Sequence, residues 1–172
     1  MENIIKIVSL RLVVEKEFPW EGTISSPTDV YKLLRQHLPN MLLSDKEMVV
    51  VVGLAGDNSP RVLSIISIGT SRTTFNSPAQ IFRLILTAAC ESFVVIHNHP
   101  SGHLIISDQD KENAVRLKHA SDIVDIEMID SIVVTQNGFI SWVATSGQRE
   151  ENYFISQQAG IVNDTPETDK AT

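Results

Sequence analysis

The chain has 172 residues, 42% hydrophobic and 20% charged, with one cysteine and a formal net charge of −7. That length suits one domain with one core, and no apolar run approaches the roughly 20 residues that span a membrane. A lone Cys90 excludes an internal disulfide framework and any cysteine-rich zinc site, and with no secretory leader visible at Met1 it points to a reducing cytoplasm.

Residues 4–14 are β-branched and partly alternating, which predicts a strand. Residues 15–25, with Pro19 and Gly22, predict a loop. Ser26-Pro27 then opens a helix, serine as N-cap and proline where its missing N–H is harmless. Val30, Leu33, Leu34, His37 and Leu38 carry the helical spacing to Pro39. His37 fits a surface or boundary position. Residues 47–54 are almost continuously apolar, the pattern of a strand buried on both faces. The turn cluster 56–60 leads to a second strand over 61–68, giving a hairpin.

Ser77-Pro78 repeats the helix-start signal, with Ile81, Phe82, Ile85 and Leu86 on one face. A short apolar strand over 92–96 delivers His97. Residues 108–120 predict a helix with Ala114, Val115 and Leu117 toward the core. Two strands follow, around 124–129 and 131–135. Asn137-Gly138 is a hairpin-turn signal leading into Phe139. The order of elements predicts an α/β domain with a central mixed sheet over residues 1–146. Residues 147–172 are polar, with five acidic residues against two basic ones, and predict a mostly disordered tail whose apolar cluster is Tyr153-Phe154-Ile155.

The chemistry concentrates in His97-Asn98-His99-Pro100-Ser101-Gly102, Ser107 and Asp110. In an extended segment, residues i and i+2 share a side, so His97 and His99 can aim at one point. Catalytic zinc sites use three protein ligands and leave the fourth position to water. Asp110, on the first turn of the next helix, is the natural third ligand. Glu47, an isolated acid at the head of a buried strand, is the candidate general base. Ser107 is the candidate oxyanion donor. Structural readings stand beside these. Ser107-x-x-Asp110 matches a helix capping box, Glu47 fits a polar strand terminus, and Pro100-Ser101-Gly102 is a good turn in any context. His103 and His119 fit surface or supporting positions, and Cys90 a buried small hydrophobe.

Taken together, Glu47, His97, His99, Pro100, Ser107 and Asp110 resemble the JAMM motif of the JAB/MPN metalloprotease superfamily, and His-Asn-His-Pro-Ser-Gly resembles its RadC branch. Ser67-Ile68-Gly69-Thr70, Ser77-Pro78 with Ile81-Phe82, and Ile129-Asp130 agree, so the resemblance covers about residues 5 to 145. It implies a three-layer α/β/α, cytidine-deaminase-like fold and one zinc ion held by His97, His99 and Asp110. It makes Glu47 the base that activates water and Ser107 the oxyanion donor. It further implies hydrolysis of a peptide or isopeptide bond in a protein substrate, under a DNA-repair family name. The chain departs from RadC relatives at Pro78-Ala79-Gln80, where they carry Pro-Arg-Glu, at Asp130-Ser131, where they carry Asp-His, and in the apolar loop 102–106. The resemblance does not extend to the helix-hairpin-helix domain of longer RadC proteins, which is not expected within these residues. With no basic cluster to neutralise phosphates, strong nucleic-acid binding is not expected. A non-catalytic, zinc-stabilised interaction module and a DNA-repair accessory protein are the alternatives.

Overall fold

The structure is a computed structural model; it describes residue 5, residues 9–69 and 78–145, and the backbone of 155–157 and 160–162. In chain order the elements are α1 (Pro27–His37), α2 (Pro39–Leu42), β1 (Glu47–Leu54), β2 (Pro60–Gly69), α3 (Pro78–Thr87), β3 (Ser92–Asn98), α4 (Asp108–Val124), β4 (Glu127–Thr135), β5 (Gly138–Ser141), α5 (Trp142–Thr145), β6 (Ile155–Gln157) and β7 (Gly160–Val162). Five strands form one sheet in the order β2-β1-β3-β4-β5, and β6 and β7 form a separate antiparallel ribbon. The β1/β2, β1/β3 and β4/β5 pairs are antiparallel and β3/β4 is parallel, so the sheet is mixed.

The period-2 alternation of strands sorts the core into two layers. Val50 and Val52 of β1, Val94 and Ile96 of β3, and Ile132 and Val134 of β4 pack against Val30, Leu33 and Leu34 of α1 and Met41 of α2. Val49 and Val51, Phe93 and Val95, and Met128 pack the other way, against Ile81, Phe82 and Ile85 of α3 and Ala114 and Leu117 of α4. The result is the expected three-layer α/β/α arrangement. Strand β3 lies at the centre with every residue buried, which is why its sequence is an unbroken apolar run up to His97. Each such fully buried aliphatic or aromatic side chain contributes about 1.5–3 kcal/mol.

Several local expectations are revised. Residues 9–14 form no strand, and Leu10, Val13 and Val14 are exposed. Strand propensity reports fit to a half-buried pleated surface, and the sheet ends at β2 and β5 without taking this segment as a partner. The strands expected at 124–129 and 131–135 are one strand, β4. Residues 124–126 instead close α4, which runs four residues longer than expected and ends at Asp125 in the left-handed region (φ 57°). Polar Asp130 and Ser131, which suggested a break, are buried inside β4. The Asp130 carboxylate accepts bonds from the Ser131 amide (2.7 Å), the Ser141 hydroxyl (2.5 Å) and the Val143 amide (3.1 Å), so it ties β4 to the start of α5. Val115 and Leu86 face solvent rather than core. The β4–β5 hairpin forms where expected, but its two loop residues are Gln136-Asn137, with Gly138 already paired to Thr135. The second strand and second helix starts hold, although Ser77 lies outside the described residues, as do most of residues 146–172.

Candidate metal centre

Topology brings the chemistry to one end of the sheet. Strand β3 ends at Asn98, and its parallel crossover through α4 starts from that same end. Strand β1 runs antiparallel to β3, with Val49 opposite His97, so Glu47 at its head also lies there. Parity does the rest. Val49 and His97 are cross-strand partners on the α3/α4 face, and Glu47, two residues from Val49, shares that face. Ligand sites in open α/β sheets favour the carboxyl ends of parallel strands for the same topological reason.

His97 is fully buried and His99 largely so. Their Nε2 atoms lie 3.2 Å apart. Asp110 is buried at the start of α4, its Oδ1 3.2 Å from His97 Nε2 and its Oδ2 3.6 Å from His99 Nε2. Ligand atoms of Glu47, His97 and His99 all lie within 4.8 Å of one another, a set able to hold a metal ion. The loop between the histidines and α4 is held by a turn in which the Gly102 amide donates to the His99 carbonyl (3.0 Å). Gly102 sits at φ 76°, a conformation that favours glycine.

Protonation states follow from neighbours. The His99 Nδ1 lies 3.0 Å from the His103 carbonyl. A carbonyl can only accept, so Nδ1 carries the proton and Nε2 presents its lone pair to the site. Two imidazole nitrogens and a carboxylate thus converge at one end of the sheet. In the metal-free protein, the bond to Asp110 raises the His99 pKa against the opposing effect of burial, helped by the His103 carbonyl and by the charges of Asp110 and Glu47. For Asp110, burial acts to raise the pKa. The bonds from His97, His99 and Ser107 prevail and hold it far below the usual carboxylate range.

Ser107 caps α4. Its hydroxyl accepts from the Asp110 amide (3.2 Å), and the Asp110 Oδ2 accepts from the Ser107 amide (2.9 Å) and hydroxyl (2.6 Å). The capping box and the convergence on the histidines therefore occupy one pair of residues, with Asp110 offering Oδ1 to His97 and Oδ2 to the cap. Of the side residues, His119 and the His103 side chain are exposed, Cys90 is buried, and His37 stacks on Phe18 with ring centroids 3.8 Å apart.

One residue of the site was not singled out in the sequence. Asn98, between the two histidines, faces the opposite side of the sheet and is buried. Its Oδ1 accepts from the Met48 amide (2.6 Å), and its Nδ2 donates to the Lys46 carbonyl (3.1 Å). The available signal was a polar side chain at the buried end of a mostly apolar strand, between two histidines.

The sequence description of the RadC-like JAB domain matches residues 24–148. The chain belongs to the RadC-like JAB domain family. It is 36% identical over 121 residues to a UPF0758 protein of Rubrobacter xylanophilus, covering 70% of this chain and 52% of that one. It is 28% identical over 139 residues to a UPF0758 protein of Staphylococcus haemolyticus, covering 81% and 57%. A UPF0758 protein of Chlorobaculum tepidum is 29% identical over 119 residues, covering 69% and 52%. The chain thus spans about half the length of the curated relatives it matches. No helix among the described residues is long and apolar enough to cross a membrane.

Proposed function

We propose that this RadC-like JAB domain is a zinc-dependent hydrolase of peptide or isopeptide bonds, with His97, His99 and Asp110 as the zinc ligands. One observation carries the reading: His97 Nε2 lies 3.2 Å from His99 Nε2 and 3.2 Å from Asp110 Oδ1, and Asp110 Oδ2 lies 3.6 Å from His99 Nε2. Around a tetrahedral ion with bonds of about 2.05 Å, donors stand about 3.3 Å apart, so the spacing fits zinc. The donor types fit as well, since imidazole and carboxylate are habitual zinc ligands and three protein donors leave one position open. Bound there, zinc would supply Lewis acidity and bring the pKa of water toward neutrality.

The chain's own residues supply the rest. A ligand oxygen of Glu47 lies within 4.8 Å of a ring nitrogen of each histidine, which puts its carboxylate beside the proposed metal position. Its carboxylate accepts the proton of a water that adds to the substrate carbonyl carbon. The same proton then passes to the departing nitrogen as the C–N bond breaks, leaving an acid and an amine. Ser107 is the donor to the carbonyl oxygen as negative charge develops there. That role requires its hydroxyl to leave Asp110 Oδ2, the partner it holds at 2.6 Å.

That engagement favours a second reading, a zinc-stabilised interaction module without turnover, in which Ser107 and Asp110 serve only cap and metal. Wild type and Glu47→Gln, each zinc-loaded, separate the two against a fluorescence-quenched peptide library and an isopeptide-linked lysine substrate. The hydrolase reading expects cleavage by wild type and a loss of at least 100-fold in Glu47→Gln with zinc content unchanged, as removal of a general base entails. No cleavage by the zinc-loaded wild type supports the module, and equal cleavage by both proteins contradicts Glu47 as the base.

A further inference from the structure

The β1/β3 ladder stops one step short of the site. Its last pair is Val49 with His97, and beyond it β3 turns its backbone to β4: Asn98 pairs with Val134, and the His99 amide donates to the Val134 carbonyl (3.0 Å). On its other side, β1 meets β2 through an irregularity between Val49 and Val50, where the register shifts by one residue. Glu47 and Met48 stay paired with Gly69 and Ile68 of β2, but their pairing is offset by one residue from the rest of that ladder, and on the β3 side the ladder has already ended. Register matters there, because a one-residue slip in a strand moves every side chain to the opposite face. Glu47 would then point toward α1, away from both histidines.

Asn98 bridges that gap. Its carboxamide takes the Met48 N–H and gives to the Lys46 C=O, the backbone groups on either side of Glu47. A carboxamide is the side-chain group that mimics a peptide unit, with one acceptor and one donor in a plane. Because Asn98 is 1% exposed, water does not compete for these bonds. The His97-Asn98-His99 alternation thus sends two side chains to the proposed zinc and the middle one through the sheet to Glu47's backbone.

We propose that Asn98 is a positioning residue that holds Glu47 on the histidine face, and this rests on the hydrolase reading above. Its measurable signature lies at Glu47 rather than at the metal ligands. The test compares wild type, Asn98→Ala, Asn98→Asp, Glu47→Gln and Tyr31→Phe. The last removes a buried hydroxyl that bonds the Thr135 and Gln136 carbonyls, beside a strand that does not pair with β1, so it is a structural control. Asn98→Asp keeps the acceptor for Met48 but sets a carboxylate oxygen against the Lys46 carbonyl, and it serves if Asn98→Ala does not fold.

Two readouts are taken: amide hydrogen exchange of the metal-free proteins, and the visible absorption spectrum of bound cobalt(II). Exchange at Met48 is expected to quicken at least tenfold in the Asn98 variants and to stay unchanged in Tyr31→Phe. Cobalt is expected to bind one per chain in every variant, with the Asn98 spectra moving to that of Glu47→Gln and the Tyr31→Phe spectrum matching wild type. Wild-type Met48 protection or a wild-type cobalt spectrum in the Asn98 variants overturns the proposal. If wild type itself binds no cobalt, the zinc reading fails, and exchange at Met48 alone decides for or against the Asn98 clip.

Discussion

Asp110 shows how one side chain serves two structural demands. As residue N3 of α4 it completes a capping box with Ser107, and from the same carboxylate it reaches both histidines. A cap substitution typically costs about 0.5–2 kcal/mol. Ser107→Ala is therefore expected to lower stability by that amount in urea unfolding while zinc binding persists. Asp110→Asn keeps an acceptor for the Ser107 amide but loses the charge, so it is expected to lose zinc with a smaller loss of stability. Gly53 tests packing at the same scale. A Cβ there would lie 2.6 Å from Cys90 Sγ and 2.9 Å from both Ile85 Cδ1 and Val62 Cγ2. Overpacking of a filled core costs about 1–3 kcal/mol, the loss expected of Gly53→Ala. That Glu47, His97, His99, Ser107 and Asp110 gather at one end of the sheet was legible in the sequence, because their types and order suit one site. Asn98 was not, since its work depends on a strand fifty residues away diverging at its last pair.

Among the elements, α1 is the clearest case of local sequence deciding local structure. Ser26 and Asp29 form a full capping box, and Pro27 occupies the first turn. Burial acts to raise the Asp29 pKa, but hydrogen bonds from Ser26 and Ser25 and the charge of Lys32 carry it below its ordinary value. A depressed folded-state pKa means stability that is present above the model-peptide value of 3.8 and lost as pH falls through the lower folded value. Asp29→Asn is thus expected to flatten the acid limb of the stability curve below about pH 4, measured by urea unfolding across pH. Helix ends and buried strands were readable for the same reason: caps, prolines and unbroken apolar runs are local signals. The errors fell where tertiary context decides. Residues 9–14 have strand composition without a partner strand. β4 is one strand because the buried Asp130 carboxylate is satisfied inside the fold by the Ser131 amide, the Ser141 hydroxyl and the α5 backbone. α2 went unseen because four residues after Pro39 carry no periodicity.

For the whole molecule, the central device is the place where β1 and β3 part. The mixed sheet makes β3 antiparallel to one neighbour and parallel to the other. A crossover helix must therefore leave from the end where β1 begins, and the acid, the two histidines and the helix start meet there. In the metal-free protein His97 and His99 bond to Asp110 at 3.2 and 3.6 Å, contacts that coordination of a cation would replace. Zinc at 1,000 times its dissociation constant stabilises by about 4 kcal/mol, which for a chain this size corresponds to roughly 8–16 °C in Tm. Calorimetry with and without a chelator is expected to show a shift of that order, abolished in His99→Ala. The α/β class and the mixed sheet were legible because element order constrains topology. The face on which Glu47 falls was not, since it depends on a register that only the paired strands define.

In the proposed centre, His97, His99 and Asp110 hold one zinc, with Glu47 beside the ion rather than bound to it. The zinc content of protein purified without a histidine tag decides this. One zinc per chain is expected in wild type and in Glu47→Gln, with zinc lost in His97→Ala. A wild type without zinc, or undiminished zinc in His97→Ala, would contradict it.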